Sequence, residues 1–230
     1  MSKALVYALV AALGNVIGGL AVARRAAGGL RVIEHVVAFG AGFMLAVAIV
    51  EILPEALARS GSLAPGLVLA GYLAVHLTQH TVTPHFHFGE ETHAVTRIAG
   101  TSALVGLLLH TFFDGVAIAS AFLVRPELGA MVFVAIFLHK LPEGVMISSL
   151  IVAGGRSGTH AVGAAGLLGA ATLLGVLLTD HVGFLIRHGL ALSAGVTLYV
   201  AASNLVPAVS SGALPMHVAI AISERISRIE

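Results

Sequence analysis

The chain has 230 residues, of which 58% are hydrophobic and 10% are charged, and its mean hydropathy of +1.01 is typical of a polytopic membrane protein rather than a soluble domain. A net charge of +1 offers no basic surface for nucleic acid, and the lack of cysteine excludes disulfides, thiolate metal sites and cysteine nucleophiles. The 27 glycines favour helices that approach one another closely in lipid. Histidine is unusually frequent, with 12 residues against 11 acids.

Seven apolar runs can cross the bilayer, which requires about 20 mainly apolar residues as helix. In chain order they cover residues 3–23, 32–53, 64–80, 98–124, 128–153, 161–185 and 189–209. The first run is too long for a signal-peptide core and is followed by Arg24 and Arg25, so we expect it to be retained. An eighth run, 214–229, is short and ends in charge, which predicts a marginal span or an interfacial helix. We therefore expect an all-α membrane bundle forming a single transmembrane domain over residues 1–230.

The joint between the third and fourth runs, residues 81–96, differs from the others in its metal-attracting side chains. It contains His85, His87 and His93 together with Glu90 and Glu91. Two interpretations remain open, a solvated polar loop and a weak, mobile ion-collecting segment.

The second and seventh runs match when one is shifted by 153 residues. The six matching pairs are Ala41 and Ala194, Gly42 and Gly195, Leu45 and Leu198, Val47 and Val200, Ala48 and Ala201, and Pro54 and Pro207. Internal repeats of this kind recur in carriers, where two related halves flank a site near the bilayer midplane.

A motif of His, three residues, acid and Gly occurs once in the fourth run and once in the fifth. It places His110 with Asp114, and His139 with Glu143. Residues four apart share a helix face, so two facing helices would bring these four side chains together. Two imidazoles and two carboxylates suit Zn²⁺, and also accept Fe²⁺, Mn²⁺, Co²⁺ or Cd²⁺. The alternative is a pair of buried His and acid contacts that serve packing alone, although ionisable groups inside a membrane are functional by default.

Other polar residues of the apolar runs are candidates for the pathway. In the second run Glu51 is expected inside the membrane, where it approaches the pathway or pairs with Lys140, and Glu55 at the membrane edge. Asp180 and His181 form a polar pair near the end of the sixth run. His76 and His80 close the third run and either form part of a cytoplasmic exit or cap the helix.

The two motifs, which read HTFFDG and HKLPEG, resemble the fourth and fifth spans of the ZIP (Zrt/Irt-like) family of divalent metal transporters. The segments GAGFMLAVAIVEILPEA and LYVAASNLVPA in the second and seventh runs are similar to that family's Gly-rich helices, and the His-bearing joint is similar too. The resemblance implies eight spans, with three-helix inverted repeats around a central helix pair. It also implies movement of a divalent metal into the cytoplasm, in some members by an elevator-like motion of the bundle that carries the site.

The resemblance further implies that the four motif side chains are ligands of the primary transport site. Many relatives have Asn after the first motif His and an acid or amide after the second, and these side chains contribute to a second metal. Here the positions hold Thr111 and Lys140. An ammonium would repel a second cation and could take its place, so we predict one metal in this region. Asn204 stands where the family usually has Glu, which makes the seventh span less charged.

The sequence thus predicts a multi-pass carrier of the cell inner membrane, with the bilayer as its surroundings, a divalent metal as substrate and no nucleic-acid partner; a homodimer is left open. One rival is an intramembrane metalloenzyme with the same ligands, but the chain lacks an H-E-x-x-H pattern and an obvious nucleophile with a base. A metal sensor or storage protein is a third interpretation. Because neutral His binds metal, we expect binding to weaken as pH falls through the His range.

Overall fold

A computed structural model describes residues 3–24, 39, 42–82, 97–153 and 155–205 of the chain. Throughout these residues the regular structure is helical. The α-helices are α1 (Lys3–Ala23), α2 (Leu53–Ser60), α3 (Ala64–Leu77), α4 (Arg97–Val124), α5 (Pro126–Ala153), α6 (Gly158–His181) and α7 (Gly183–Tyr199). Residues 42–47 are also helical and lead through a π-helical turn, Ala48–Ile52, into α2. The predicted all-α class is confirmed.

Within the described residues, five helices are long and apolar enough to cross a membrane. They are Lys3–Ala23, Ala103–Val124, Pro126–Val152, Gly158–His181 and Gly183–Ser203, which correspond to the first and the fourth to seventh predicted runs. The second run is only partly described, and the third is helical from Ala64 onward. The eighth run and residues 83–96 of the His-bearing joint lie outside the described residues. The predicted total of seven or eight spans therefore stays a prediction.

The boundary between the sixth and seventh runs differs from its prediction. The sequence predicted a joint between residues 185 and 189, whereas α6 ends at His181 and α7 begins at Gly183. Val182, between them, is extended, with φ −103° and ψ 106°. No proline marks this break, and the apolar residues Phe184, Leu185 and Ile186 follow it directly, so the apolar run extends past the true helix end. The correction moves Asp180 and His181 to the exposed terminus of a helix.

The side chains of α1 show which surfaces face lipid. Its exposed large residues, Val6, Leu9, Val10, Leu13 and Ile17, lie on one side. Its buried residues are small, and they are Ala4, Ala8, Ala11, Ala12, Gly14, Asn15, Gly18 and Gly19. Small residues inside and large apolar residues outside are expected where helices associate in lipid, because lipid chains are as apolar as leucine.

The helices form two packed groups. In the first, α1 packs on α5 and α6, and α4 packs on the same two helices. In the second, α2 and α3 pack on α7, and α7 joins the groups through its contact with α4. Glycines permit the closest crossings, since a Cβ at Gly195 on α7 would collide with the backbone of Val68 on α3. The two motif-bearing helices, α4 and α5, therefore belong to the first group, and the candidate ligands lie inside it.

Three π-helical turns each end two residues before a proline. They span Ala48–Ile52, Thr78–Val82 and Val200–Leu205, and the sequence places prolines at positions 54, 84 and 207. At Pro54, which the structure describes, the ring would clash with the carbonyl of Val50 in a regular α-helix, and widening that turn relieves the clash. Under the 153-residue shift, positions 48–52 fall on 201–205, so the two matched runs share this local distortion. The inverted repeat itself stays a prediction.

Candidate metal centre

The four motif side chains meet inside the first helix group. One ligand atom from each of His110, Asp114, His139 and Glu143 lies within 4.8 Å of the others. His110 and Asp114 are one turn apart on α4, and the other two residues are one turn apart on α5. All four are buried, with exposed fractions of 2%, 1%, 3% and 7% in chain order. The structure thus brings together the two helix faces that the motif spacing predicts.

Asp114 lies at the centre of this cluster. Its Oδ2 is 3.5 Å from Nε2 of His110 and 3.4 Å from Nε2 of His139. The two imidazole rings have centroids 5.5 Å apart and are tilted by 32°. The carboxylate oxygen therefore faces both rings, which is the arrangement needed for a shared cation.

The orientation of His139 favours metal binding through Nε2. Its Nδ1 is 3.1 Å from the carbonyl oxygen of Ala135, one turn earlier. Because a carbonyl only accepts, Nδ1 carries the proton, and the neutral ring then has its lone pair on Nε2, towards Asp114. A lone pair and a carboxylate oxygen at this distance repel unless a cation or proton lies between them.

Two further atoms of the cluster have no hydrogen-bond partner among the described residues. They are Nδ1 of His110 and Oε1 of Glu143. Buried polar atoms are nearly always paired, so each unpaired atom calls for an explanation. Glu143 Oε1 in particular is a free acceptor beside the other three ligands.

The ammonium of Lys140 is a buried cation within the cluster. The Lys140 side chain is completely buried, and Nζ donates to Oδ2 of Asp114 at 2.6 Å and to Oε2 of Glu143 at 2.9 Å. One ammonium thus binds both carboxylates of the cluster. A buried charge is tolerated only when it is paired and hydrogen-bonded, and these contacts meet that condition.

Of the two alternatives predicted for Glu51, the pairing with Lys140 is wrong, and an approach to the pathway stays a prediction. Glu51 instead accepts from Nη2 of Arg125 at 2.8 Å, and Glu55 accepts from Nη1 at 3.3 Å. Arg125 occupies the single-residue joint between α4 and α5, whereas Lys140 lies more than three turns along α5 and faces Asp114. Through these ion pairs the two glutamates attach the second run to the joint between the site helices. Their side chains are partly exposed, at 30% and 25%.

Thr111 is buried beside the cluster but bonds to its own helix. Its hydroxyl lies 3.0 Å from the carbonyl oxygen of Leu107 and 3.2 Å from that of Leu108, and it donates to them. The Thr111 hydroxyl is therefore directed to the backbone of its own helix rather than to the four-residue cluster.

Of the other predicted pathway residues, Asp180, His181 and His76 lie outside the four-residue cluster. Asp180 and His181 are exposed at the end of α6, where Nδ1 of His181 contacts the Leu177 carbonyl at 2.7 Å. The ring of His76 packs against those of Tyr72 and Tyr199, with centroids 6.4 and 5.6 Å away. The side chains of His80 and Asn204 lie outside the described part of the chain.

The glycine that ends each motif places the site helices against their neighbours. A Cβ at Gly115 would collide with the backbone of Thr172 on α6, and a Cβ at Gly144 would collide with the backbone of Asn15 on α1. The motif thus combines two ligands with a close helix crossing one residue later.

Asn15 is the polar residue that the sequence analysis missed. It is completely buried, and neither atom of its side-chain amide has a hydrogen-bond partner within the described ranges. The available signal was an amide in the middle of an apolar run, with Gly14 before it and Gly18 one turn later. Asn15 packs against Gly144, the residue that follows the ligand Glu143 on α5.

Comparison with known families identifies the chain's family. The model of a family described as ZIP zinc transporter matches residues 89–217, which is more than half of the chain and includes both motifs. No curated protein sequence matches the chain significantly.

Proposed function

The chain belongs to the ZIP zinc transporter family, and we propose that it takes up zinc into the cytoplasm through the ligands His110, Asp114, His139 and Glu143. Membership makes the protein a multi-pass transporter of divalent metal, and it excludes the intramembrane metalloenzyme as its function. The observation that carries the assignment of the site is the convergence of all four ligand atoms within 4.8 Å at a buried position.

Zinc is the metal that best fits this ligand set. Zn²⁺ favours four-coordinate sites made from imidazole nitrogen and carboxylate oxygen at about 2.0–2.2 Å. Two carboxylates neutralise the ion, which lowers the cost of holding it in the membrane interior. Fe²⁺, Mn²⁺, Co²⁺ and Cd²⁺ remain accepted competitors, because His and carboxylate ligands discriminate weakly among them.

The two helix groups suggest how the site would move. The ligands lie on α4 and α5, which pack with α1 and α6, and this group contacts the second group mainly where α4 meets α7. Sliding of the first group along α7 would carry the metal without breaking the packing inside either group. This is the elevator-like motion that the resemblance implies, and the proline-associated π-helical turns lie in the second group.

We place the protein in the cell inner membrane, with the bilayer as its surroundings and with residues 1–230 as one transporter domain. The His-containing loop at 81–96 would collect or receive ions, in keeping with its ligand-rich composition. A homodimer stays a prediction. The site would hold a single metal, since Lys140 and Thr111 occupy the positions that a second metal would need.

Uptake of ⁶⁵Zn²⁺ into proteoliposomes tests this function. We expect time-dependent uptake by the wild-type protein and loss of at least nine-tenths of it in His139→Ala. The matched control is His160→Ala, because His160 is exposed at the start of α6 and contacts Ser157 outside the cluster; it should keep wild-type uptake. Zinc binding by the wild type without flux would favour the sensor or storage interpretation and refute the carrier.

A further inference from the structure

Lys140 and a transported metal require the same oxygen atom. Of the two Asp114 carboxylate oxygens, Oδ2 is the one that faces both imidazole Nε2 atoms, at 3.5 and 3.4 Å. It is also the oxygen that accepts from Nζ of Lys140, at 2.6 Å. A metal held between the two rings and Asp114 would therefore displace or directly oppose the ammonium.

The distances within the cluster also fit an ammonium better than a bound divalent metal. The ammonium lies 2.6 and 2.9 Å from its carboxylate oxygens, whereas a divalent metal would bind them at about 2.0–2.2 Å, with ligand atoms roughly 3.4 Å apart in a tetrahedron. The four candidate ligand atoms lie up to 4.8 Å apart, which is wider than such a tetrahedron. Exchange of ammonium for metal would contract the site.

The stem of Lys140 is held so that its charge stays beside the ligands. A Cβ at Gly14 on α1 would lie 3.2 Å from the Lys140 Cβ, so the two helices meet at the base of this side chain. No part of the side chain is exposed. The ammonium is therefore a tethered ion with a high local concentration at the carboxylates, unlike a cation arriving from solution.

We propose that Lys140 is a built-in competitor of the transported metal, which binds Asp114 and Glu143 when the metal leaves and thereby sets metal affinity and release. This inference rests on the proposed function. Two buried carboxylates without a counter-ion would hold a divalent metal very tightly. When the metal ion leaves, the ammonium of Lys140 takes its place beside the two carboxylates. Their negative charge stays compensated, and the metal is therefore released faster.

Zinc affinity of purified protein, measured by isothermal titration calorimetry, tests the competition. Lys140→Met should lower the Kd for Zn²⁺ at least tenfold and should reduce the maximal rate of uptake into proteoliposomes. Lys140→Arg, which keeps the positive charge, should leave the Kd within about threefold of wild type. A structural role for Lys140 alone would instead weaken or abolish binding in Lys140→Met.

A second pair of variants covers the case in which Lys140→Met does not fold. The double variant Lys140→Met/Glu143→Gln has the same net side-chain charge at the cluster as the wild type, and it is compared with Glu143→Gln alone. We expect the double variant to bind zinc at least tenfold more tightly than the single one. Equal or weaker binding would overturn the proposal.

The same titration separates this proposal from the function on which it rests. If His139→Ala binds zinc like the wild type, the ligand assignment fails whatever Lys140 does. If binding requires His139 but neither the wild type nor any variant shows flux, the proposed transport function is wrong. The competition is then still tested by comparing the zinc Kd of Lys140→Met with that of the wild type. If flux and ligand assignment hold and Lys140→Met leaves the Kd unchanged, the competition alone is wrong.

Discussion

Replacement of Gly144 by alanine should destabilise the protein by forcing two helices apart. The new Cβ would lie 2.8 Å from both Cα and the carbonyl carbon of Asn15, and closer still to its carbonyl oxygen. Ordinary contact begins near 3.4 Å, so α1 or α5 would have to move by more than half an ångström, and backbone atoms cannot rotate away. Overpacking of this kind costs about 1–3 kcal/mol.

Thermal unfolding of the detergent-solubilised protein measures this cost, with Gly163→Ala as the matched control. Gly163 also lies within a membrane helix, but an added Cβ there meets no atom within 4 Å. Alanine should therefore be neutral or stabilise the helix by up to about 1 kcal/mol. Equal unfolding midpoints for the two variants would refute the close packing of α1 on the second motif. A lower midpoint for Gly144→Ala, with weaker zinc binding through the adjacent Glu143, is the expected result.

Three further substitutions test individual contacts. Asn15→Leu should leave the unfolding midpoint unchanged or raise it, because a buried amide without partners costs about 1–3 kcal/mol; a clear loss of stability would show that the amide is hydrogen-bonded. Arg125→Gln removes two partly exposed ion pairs and should cost only about 0.2–1 kcal/mol per pair in the same unfolding assay, whereas a larger loss would show that this joint fixes the fold. Thr111→Val should keep the Kd for zinc within about threefold by calorimetry, since the hydroxyl donates to the helix backbone; a tenfold loss would make Thr111 a ligand.

The helical class, five of the spans and the meeting of the four ligands follow from local sequence properties. Apolar length determines a span, and a spacing of four residues determines a shared helix face, so neither requires knowledge of the tertiary fold. The duplicated motif added the decisive step, because one polar pair predicts a buried contact whereas two matched pairs predict a site.

The errors arise where the tertiary arrangement decides between equal local options. Lys140 could reach either Glu51 or the motif acids by sequence alone, and only the packing of α4 on α5 assigns it to Asp114. Arg125 lies between the site helices and contacts two glutamates, a pairing that the local sequence does not reveal. The early end of α6 was missed because the apolar residues from Phe184 to Ile186 continue the run beyond the break.

The number and position of bound zinc ions decide whether the four motif side chains form the transport site. Anomalous diffraction from crystals of the zinc-loaded protein would show each metal. We expect one zinc, bound by His110, Asp114, His139 and Glu143 at about 2.0–2.2 Å. Two metals about 3.5–4 Å apart at these helices, or a zinc bound elsewhere with these four side chains unliganded, would contradict this expectation.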